Sequence, residues 1–124
     1  MAHCLYIDEV GNADLKGAAT DDNIRYLSLT GILTTIRHHD ERISPQLDYV
    51  KSIIPQHSPA NPVVLHRRDI VRREGAFACL RNPDLCKKFD DLMLDVIEQA
   101  PYRALTVQID KKQHLDEYST WHFD

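Results

Sequence analysis

HCLYIDEVGN, residues 3–12, starts the chain with a pattern typical of a β-strand that ends on two carboxylates. The bulky and β-branched residues from Leu5 to Ile7 suit a pleated, half-buried surface, and a Gly-Asn pair is a common strand stop. Asp8 and Glu9 would then lie at the carboxyl end of a buried strand, where their desolvation has to be compensated. A metal ion, a basic partner or a bend into solvent could each compensate it, and we favour the metal.

The composition predicts a single globular domain that covers residues 1–124. Hydrophobic residues make up 43% and charged residues 27% of the chain, and 124 residues form at most one domain. No run approaches the ~20 apolar residues of a membrane span, and the N-terminus lacks the features of a signal peptide. Three cysteines without metal-binding spacing, Cys4, Cys79 and Cys86, favour a reducing, cytoplasmic setting.

The charge is unevenly distributed along the sequence. The net charge of −4 argues against a protein that coats nucleic acid through bulk charge. Four arginines nevertheless crowd into residues 67–73, namely Arg67, Arg68, Arg72 and Arg73. Such a patch can contact the phosphates of a nucleic acid, and an arginine-rich surface segment without a partner explains it equally well.

Hydrophobic periodicity predicts an α/β fold with a mixed sheet of about four or five strands and two main helices. Besides the first strand, residues 24–36 predict one strand bent at Gly31 or two strands joined there, 63–65 a short strand, and 103–110 an alternating strand. A charged connector at 38–42 precedes a helix that starts at Ser44 and Pro45. Residues 70–80 are predicted as a loop with at most one helical turn, since Gly75 interrupts them. The clearest helix is capped by Asn82 and ends at Pro101.

Two of these strands, 3–8 and 103–110, each end on an aspartate, and a helix precedes the second. If the strands are parallel neighbours joined by a right-handed crossover, Asp8 and Asp110 meet at one end of the sheet. Two adjacent carboxylates repel each other, so a divalent cation is their natural compensation. Paired acids with metal ions can hydrolyse phosphodiesters by the two-metal route, although strand-terminal acids are also common as solvated residues.

Four short motifs resemble, in the same order, those of the family called domain of unknown function 3800. YIDEVGN at 6–12 resembles the family's Tyr-Ile-Asp-Glu-Ser-Gly opening, and LHRRDI at 65–70 its Leu-His and Asp-Ile segment. IDK at 109–111 is similar to its strand-ending Ile-Asp-Lys, and residues 118–122 to what often follows. The resemblance implies a ribonuclease-H-like fold, of which this chain covers the N-terminal portion, and a metal-dependent nuclease or phosphodiesterase activity.

Carried over by residue, the resemblance implies Asp8 and Asp110 as ligands of Mg²⁺ or Mn²⁺, hard cations that take carboxylate oxygens. Glu9 is a weaker catalytic candidate because adjacent strand residues point to opposite faces unless the strand bends. His66 and Asp69 match the second motif and could orient substrate, bind metal or transfer protons. A histidine at a strand end is by itself more often structural, and the motif match makes the two roles of His66 about equal.

The sequence departs from the family pattern in two places. Val10 stands where the family usually has serine, which removes a hydroxyl beside the acids. The chain also ends at Asp124, before the family's later acidic segments, so we expect a sheet that is incomplete at its C-terminal side. An uncovered edge and core face favour a homodimer. The alternative function is a non-catalytic interaction module that dimerises through that edge and carries vestigial acids.

Overall fold

The computed structural model describes residues 1–118, which form two compact units. The first unit comprises Met1–Thr34 and the chain from Tyr102 onward, and the second comprises Thr35–Pro101. Most of the fourth motif of the resemblance, residues 119–122 with Trp121, lies outside the described residues. No helix in the described part of the chain combines the length and the apolar character that crossing a bilayer requires.

The first unit is a three-stranded antiparallel sheet, in the order β1-β2-β3. Its strands are β1 (His3–Gly11), β2 (Tyr26–Thr35) and β3 (Arg103–Asp110). In the β2–β3 register, Tyr26 lies opposite Asp110 and Leu33 opposite Arg103. At the end of β1, Gly11 has a φ of +113°, and a Cβ there would lie 2.6 Å from the Tyr26 carbonyl oxygen. Only glycine fits this close approach, which explains why β1 ends there.

The expected mixed sheet of four or five strands is wrong for residues 1–118, which hold three strands. Residues 63–65 form no strand: Val63 is buried in the helical core, while Val64 is exposed. A short apolar run of this kind does not distinguish a strand from a segment that packs on helices. The long apolar stretch 24–36 contains one continuous strand, with Gly31 inside it against the Leu5 side chain.

β1 and β3 are not neighbours, because β2 lies between them. The crossover argument for a parallel pair is therefore wrong. The helical segment before β3 leads to an antiparallel partner, β2. The strand at 103–110 itself is confirmed, and α5 (Lys111–Glu117) follows it without a linker.

The second unit is helical. It contains α1 (Ile36–His38), a π-helical turn (His39–Ile43), α2 (Ser44–Ser52), α3 (Arg67–Arg72) and α4 (Pro83–Gln99), with a 3₁₀ segment at Gly75–Arg81. Helical structure thus begins before Ser44, because the Thr35 hydroxyl accepts a hydrogen bond from the His38 N–H at 3.1 Å and caps the chain earlier. The charged connector predicted at 38–42 is therefore wrong. The loop predicted at 70–80 is wrong in extent, because α3 runs to Arg72 and a 3₁₀ segment starts at Gly75, so the helical turn allowed there is more extensive than expected.

The start of α4 is confirmed. The Asn82 side chain accepts hydrogen bonds from the N–H groups of Asp84 and Leu85 at 3.0 and 3.1 Å, and Pro83 occupies the first turn. The buried side chains of the second unit pack around this helix: Val50, Ile54, Val63, Phe77, Leu80, Phe89 and Val96. The phenyl rings of Phe77 and Phe89 meet edge to face, with centroids 6.1 Å apart.

β1 and most of β3 are solvent-exposed, although a half-buried first strand was expected, while β2 between them is mostly half-buried. Leu5, Ile7, Leu105 and Val107 lie together on one face and are between 49% and 70% exposed. Among the described residues of this unit, Lys111 is the fully buried ionisable side chain and is 1% exposed. We therefore expect polar contacts to contribute to the order of this unit.

Candidate functional site

Asp8 and Glu9 lie near the end of β1 with their side chains in solvent. The Asp8 Oδ1 atom accepts a hydrogen bond from the Glu9 N–H at 2.9 Å, which fixes the carboxylate against its own backbone. Neither acid forms an ion pair within residues 1–118. In that region β1 is also an edge strand, so a ligand can approach Asp8 from outside the sheet.

The Asp110 carboxylate is bound by Arg25, a partner that the sequence did not predict. Arg25 donates from Nε to Oδ1 at 2.9 Å and from Nη2 to Oδ2 at 2.6 Å, a bidentate ion pair. This hydrogen bonding lowers the pKa of Asp110 from 3.8 to about 2 and raises the pKa of Arg25 above its usual value. The Asp110 Oδ1 atom also accepts the Gln113 N–H at 3.3 Å and so caps α5. Asp110 is thus a structural carboxylate in this arrangement.

Lys111 holds the turn that follows the β1 acids. Its Nζ donates to the carbonyl oxygens of Asn12 and Asp14, the latter at 2.8 Å, and its backbone N–H donates to the Arg25 carbonyl at 2.9 Å. We call these contacts the Lys111 anchor. They tie the segment after β1 to the junction of β3 and α5. The sequence offered one signal for this role, the lysine of the Ile-Asp-Lys motif.

The structure does not bring Asp8 and Asp110 together. Asp110 is level with Tyr26, as Gly11 is, and β2 separates the two outer strands. Two strand spacings across the sheet and three residues along β1 put the two Cα atoms about 14 Å apart. Joint ligation of a single ion would require Asp110 to leave Arg25 and the sheet to rearrange.

His66 and Asp69 form the second predicted pair, in the helical unit. His66 immediately precedes α3, and its Nδ1 lies 3.4 Å from the Asp69 Oδ2 one turn later. Their side chains are 61% and 45% exposed. The two residues are therefore close enough to act together on a proton or a phosphate. They belong to a different unit from Asp8, Glu9 and Asp110.

The arginine patch lies on α3 and the residue that ends it. Arg67, Arg68, Arg72 and Arg73 are all exposed. Among residues 1–118, no three histidine, cysteine, aspartate or glutamate side chains come together as a metal cage. Any ion held by this part of the protein would need water or substrate oxygens to complete its coordination, as Mg²⁺ commonly does.

Comparison with known proteins adds no assignment. No protein-family model, no curated protein and no solved structure matches this chain. Function therefore has to be argued from the chemistry of these residues.

Proposed function

We propose that this chain is the N-terminal portion of a ribonuclease-H-like domain that hydrolyses phosphodiester bonds with Mg²⁺ or Mn²⁺. The observation that carries the proposal is the Asp8 carboxylate, exposed on an edge strand and free of any ion pair within residues 1–118. The Lys111 anchor supports it, because a ligand on a strand with a fixed following turn is held more precisely than one on a loop.

Asp8 would hold the ion, with Glu9 beside it and Asp110 contributing only after release from Arg25. Mg²⁺ is usually bound by one or two carboxylates together with water and substrate phosphate, so a single firm carboxylate fits a site that is completed by its substrate. The ion would supply positive charge to the phosphoryl oxygens. His66 and Asp69 are the chain's proposed proton-transfer or substrate-orienting pair, and the exposed arginines at 67–73 its proposed contact with nucleic acid.

The test is metal-dependent stability and cleavage of a fluorescent oligonucleotide, measured for the parent and for Asp8→Asn. The parent should gain about 2.7 kcal/mol at a metal concentration about a hundred times the Kd. Asp8→Asn should lose both the gain and the cleavage. Asp48→Asn, an exposed acid on α2, is the control and should behave as the parent. An Asp8→Asn protein that responds to Mn²⁺ like the parent would refute the assignment.

We place this activity in the cytoplasm. Cys4, Cys79 and Cys86 are all free thiols, which is usual in reducing compartments.

The second candidate is a non-catalytic module that associates through the sheet. The exposed apolar face with Leu5, Ile7 and Leu105 favours it, because monomers rarely expose contiguous apolar patches of this kind. Sedimentation equilibrium separates the two candidates. A dimer that Ile7→Lys disperses, in a protein without metal response, would support the module.

A further inference from the structure

A cleft in the helical unit brings three cations together beside a thiol. It lies between the end of α3 and the first turns of α4 and has a volume of about 480 Å³. Its charged lining residues are Arg73, Arg81 and Lys87 together with the acids Asp90 and Asp91. We call it the α3–α4 cleft. We propose that it binds the phosphodiester backbone of a nucleic acid, with the guanidinium groups of Arg73 and Arg81 donating hydrogen bonds to its phosphates.

Of the three cations in the cleft, the two arginines are the ones without an ion pair among the described residues. Lys87 Nζ is bound to the Asp91 Oδ2 at 2.6 Å, so its charge is already compensated. No carboxylate of residues 1–118 forms an ion pair with Arg73 or Arg81. A guanidinium offers a planar fork of N–H donors that matches phosphate oxygens, so two unpaired ones in a concave site suit a phosphodiester.

The start of α4 contributes the electric field of its helix dipole but no free N–H donor. Asn82 already accepts the N–H groups of Asp84 and Leu85, and its carbonyl accepts that of Cys86 at 2.9 Å. The positive end of the helix dipole still raises the potential in the cleft, which favours an anion. Binding therefore depends on the arginine side chains, and their removal should be decisive.

Arg73 occupies a backbone position that favours glycine. It follows α3 with φ 53° and ψ 50°, and its N–H and that of Glu74 donate to the carbonyls of Ile70 and Asp69, the pattern of a Schellman C-cap. Glycine is the usual residue at this position because a side chain strains the left-handed conformation. An arginine at this position lowers the stability of the protein, but it places a guanidinium group in the cleft.

Cys86 reports on occupancy of the same cleft. Its Sγ lies 3.9 Å from the Arg73 Nη2 and 3.7 Å from the Asp90 Oδ2. A ligand held by Arg73 would cover this half-buried thiol. Cys79 has a different environment, since its Sγ donates to the Ala76 carbonyl at 3.3 Å, and it serves as an internal reference.

The proposal rests on the proposed function, of which it names the substrate class, but its test needs no turnover. Binding of fluorescein-labelled oligo-dT, oligo-rU and a short duplex is measured by anisotropy in EDTA at low salt. Arg81→Gln and Arg73→Gly should each weaken binding about ten-fold or more, and each should flatten the salt dependence by about one released counterion. Arg73→Gly should at the same time melt no lower than the parent, which excludes unfolding as the cause.

Lys88→Gln is the matched control, because it removes one exposed charge from α4 outside the cleft. It should change the Kd less than two-fold. Alkylation of Cys86 by neutral iodoacetamide should slow in proportion to the bound fraction, while that of Cys79 stays constant. Because binding is measured in EDTA, with no metal ion bound, failure of the metal site proposed at Asp8 leaves this result intact.

Three results would overturn the proposal. The first is an equal loss of binding in Lys88→Gln and Arg81→Gln, which indicates bulk charge. The second is an unchanged Cys86 rate at saturating oligonucleotide. The third is binding to phosphatidylserine vesicles, with the same dependence on Arg73 and Arg81, by a protein that ignores oligonucleotides.

Discussion

Replacement of Lys111 by methionine tests whether polar contacts order the sheet unit. Methionine keeps most of the length and apolar stem of lysine and removes the ammonium group. In the parent, that group donates to the carbonyls of Asn12 and Asp14 from a position that is 1% exposed. Lys111→Met therefore leaves two carbonyl oxygens without their donor, next to the segment that carries Asp8.

The expected destabilisation follows from these two hydrogen bonds. A hydrogen bond to a charged group contributes about 1.5–3 kcal/mol, and the variant no longer has to desolvate a buried ammonium, which offsets part of the loss. We expect a net decrease of about 3 kcal/mol in the free energy of unfolding. For a chain of this size, ~4 °C per kcal/mol applies, so the Tm should fall by about 12 °C.

Urea unfolding and hydrogen exchange together provide the assay. The amides of residues 12–14 should exchange faster in Lys111→Met than in the parent, and the helical core amides should change less. Lys16→Met, an exposed lysine in the same unit, is the control and should stay within ~0.5 kcal/mol of the parent. If Lys111→Met is as stable as the parent or more stable, burial of the ammonium outweighs its contacts and the anchor has no structural role.

Two further predictions concern Asp110 and Gln46. The pKa of Asp110 is lowered from 3.8 to about 2, so the unfolded chain binds more protons than the folded protein between about pH 2 and pH 4. The stability that the Arg25 pair contributes therefore rises with pH in this range and is complete above about pH 5. The Tm difference between the parent and Asp110→Asn should follow this curve, and a constant difference would contradict it. Within residues 1–118, the Gln46 Oε1 atom is buried and has no hydrogen-bond partner. Gln46→Met should therefore be as stable as the parent or up to about 1 kcal/mol more stable in urea unfolding, whereas exposed Gln56→Met should match the parent; a loss above about 1 kcal/mol in Gln46→Met would refute this.

Local signals in the sequence predicted several elements correctly. Asn82 and Pro83 marked the start of α4 because a side-chain cap and a missing N–H act within one turn and need no tertiary partner. The alternation at 103–110 predicted β3, and the Gly11-Asn12 pair predicted the end of β1, where the backbone approaches the Tyr26 carbonyl. Ile97 shows the limit of local signals. It belongs to the apolar stripe that the sequence predicts along α4, yet it is 54% exposed, so the stripe is wider than the surface that the helix buries.

Relations between distant residues could not be read from those signals. The strand order depends on which edges pair, and the sequence alone could not reveal that β2 lies between the two aspartate-bearing strands. The Arg25–Asp110 pair joins residues 85 positions apart, and no periodicity connects them. The sequence thus predicted correctly that Asp110 ends β3, whereas Asp8 lies inside β1, which continues to Gly11. The tertiary pairing determined that Asp110 is bound by Arg25.

Asp8 is exposed and Asp110 is paired with Arg25, and this difference decides what a metal site in this unit would require. A site built on Asp8 and Asp110 together would have to break a bidentate ion pair that also caps α5, so metal binding would oppose folding of the sheet. A site built on Asp8 and completed by water and phosphate would break no ion pair among the described residues. Substrate phosphate would then strengthen metal binding. By linkage, the metal would strengthen substrate binding by the same factor. Cooperative binding of Mn²⁺ and oligonucleotide, retained in Asp110→Asn and lost in Asp8→Asn, is therefore the signature that distinguishes the single-carboxylate site from the paired one.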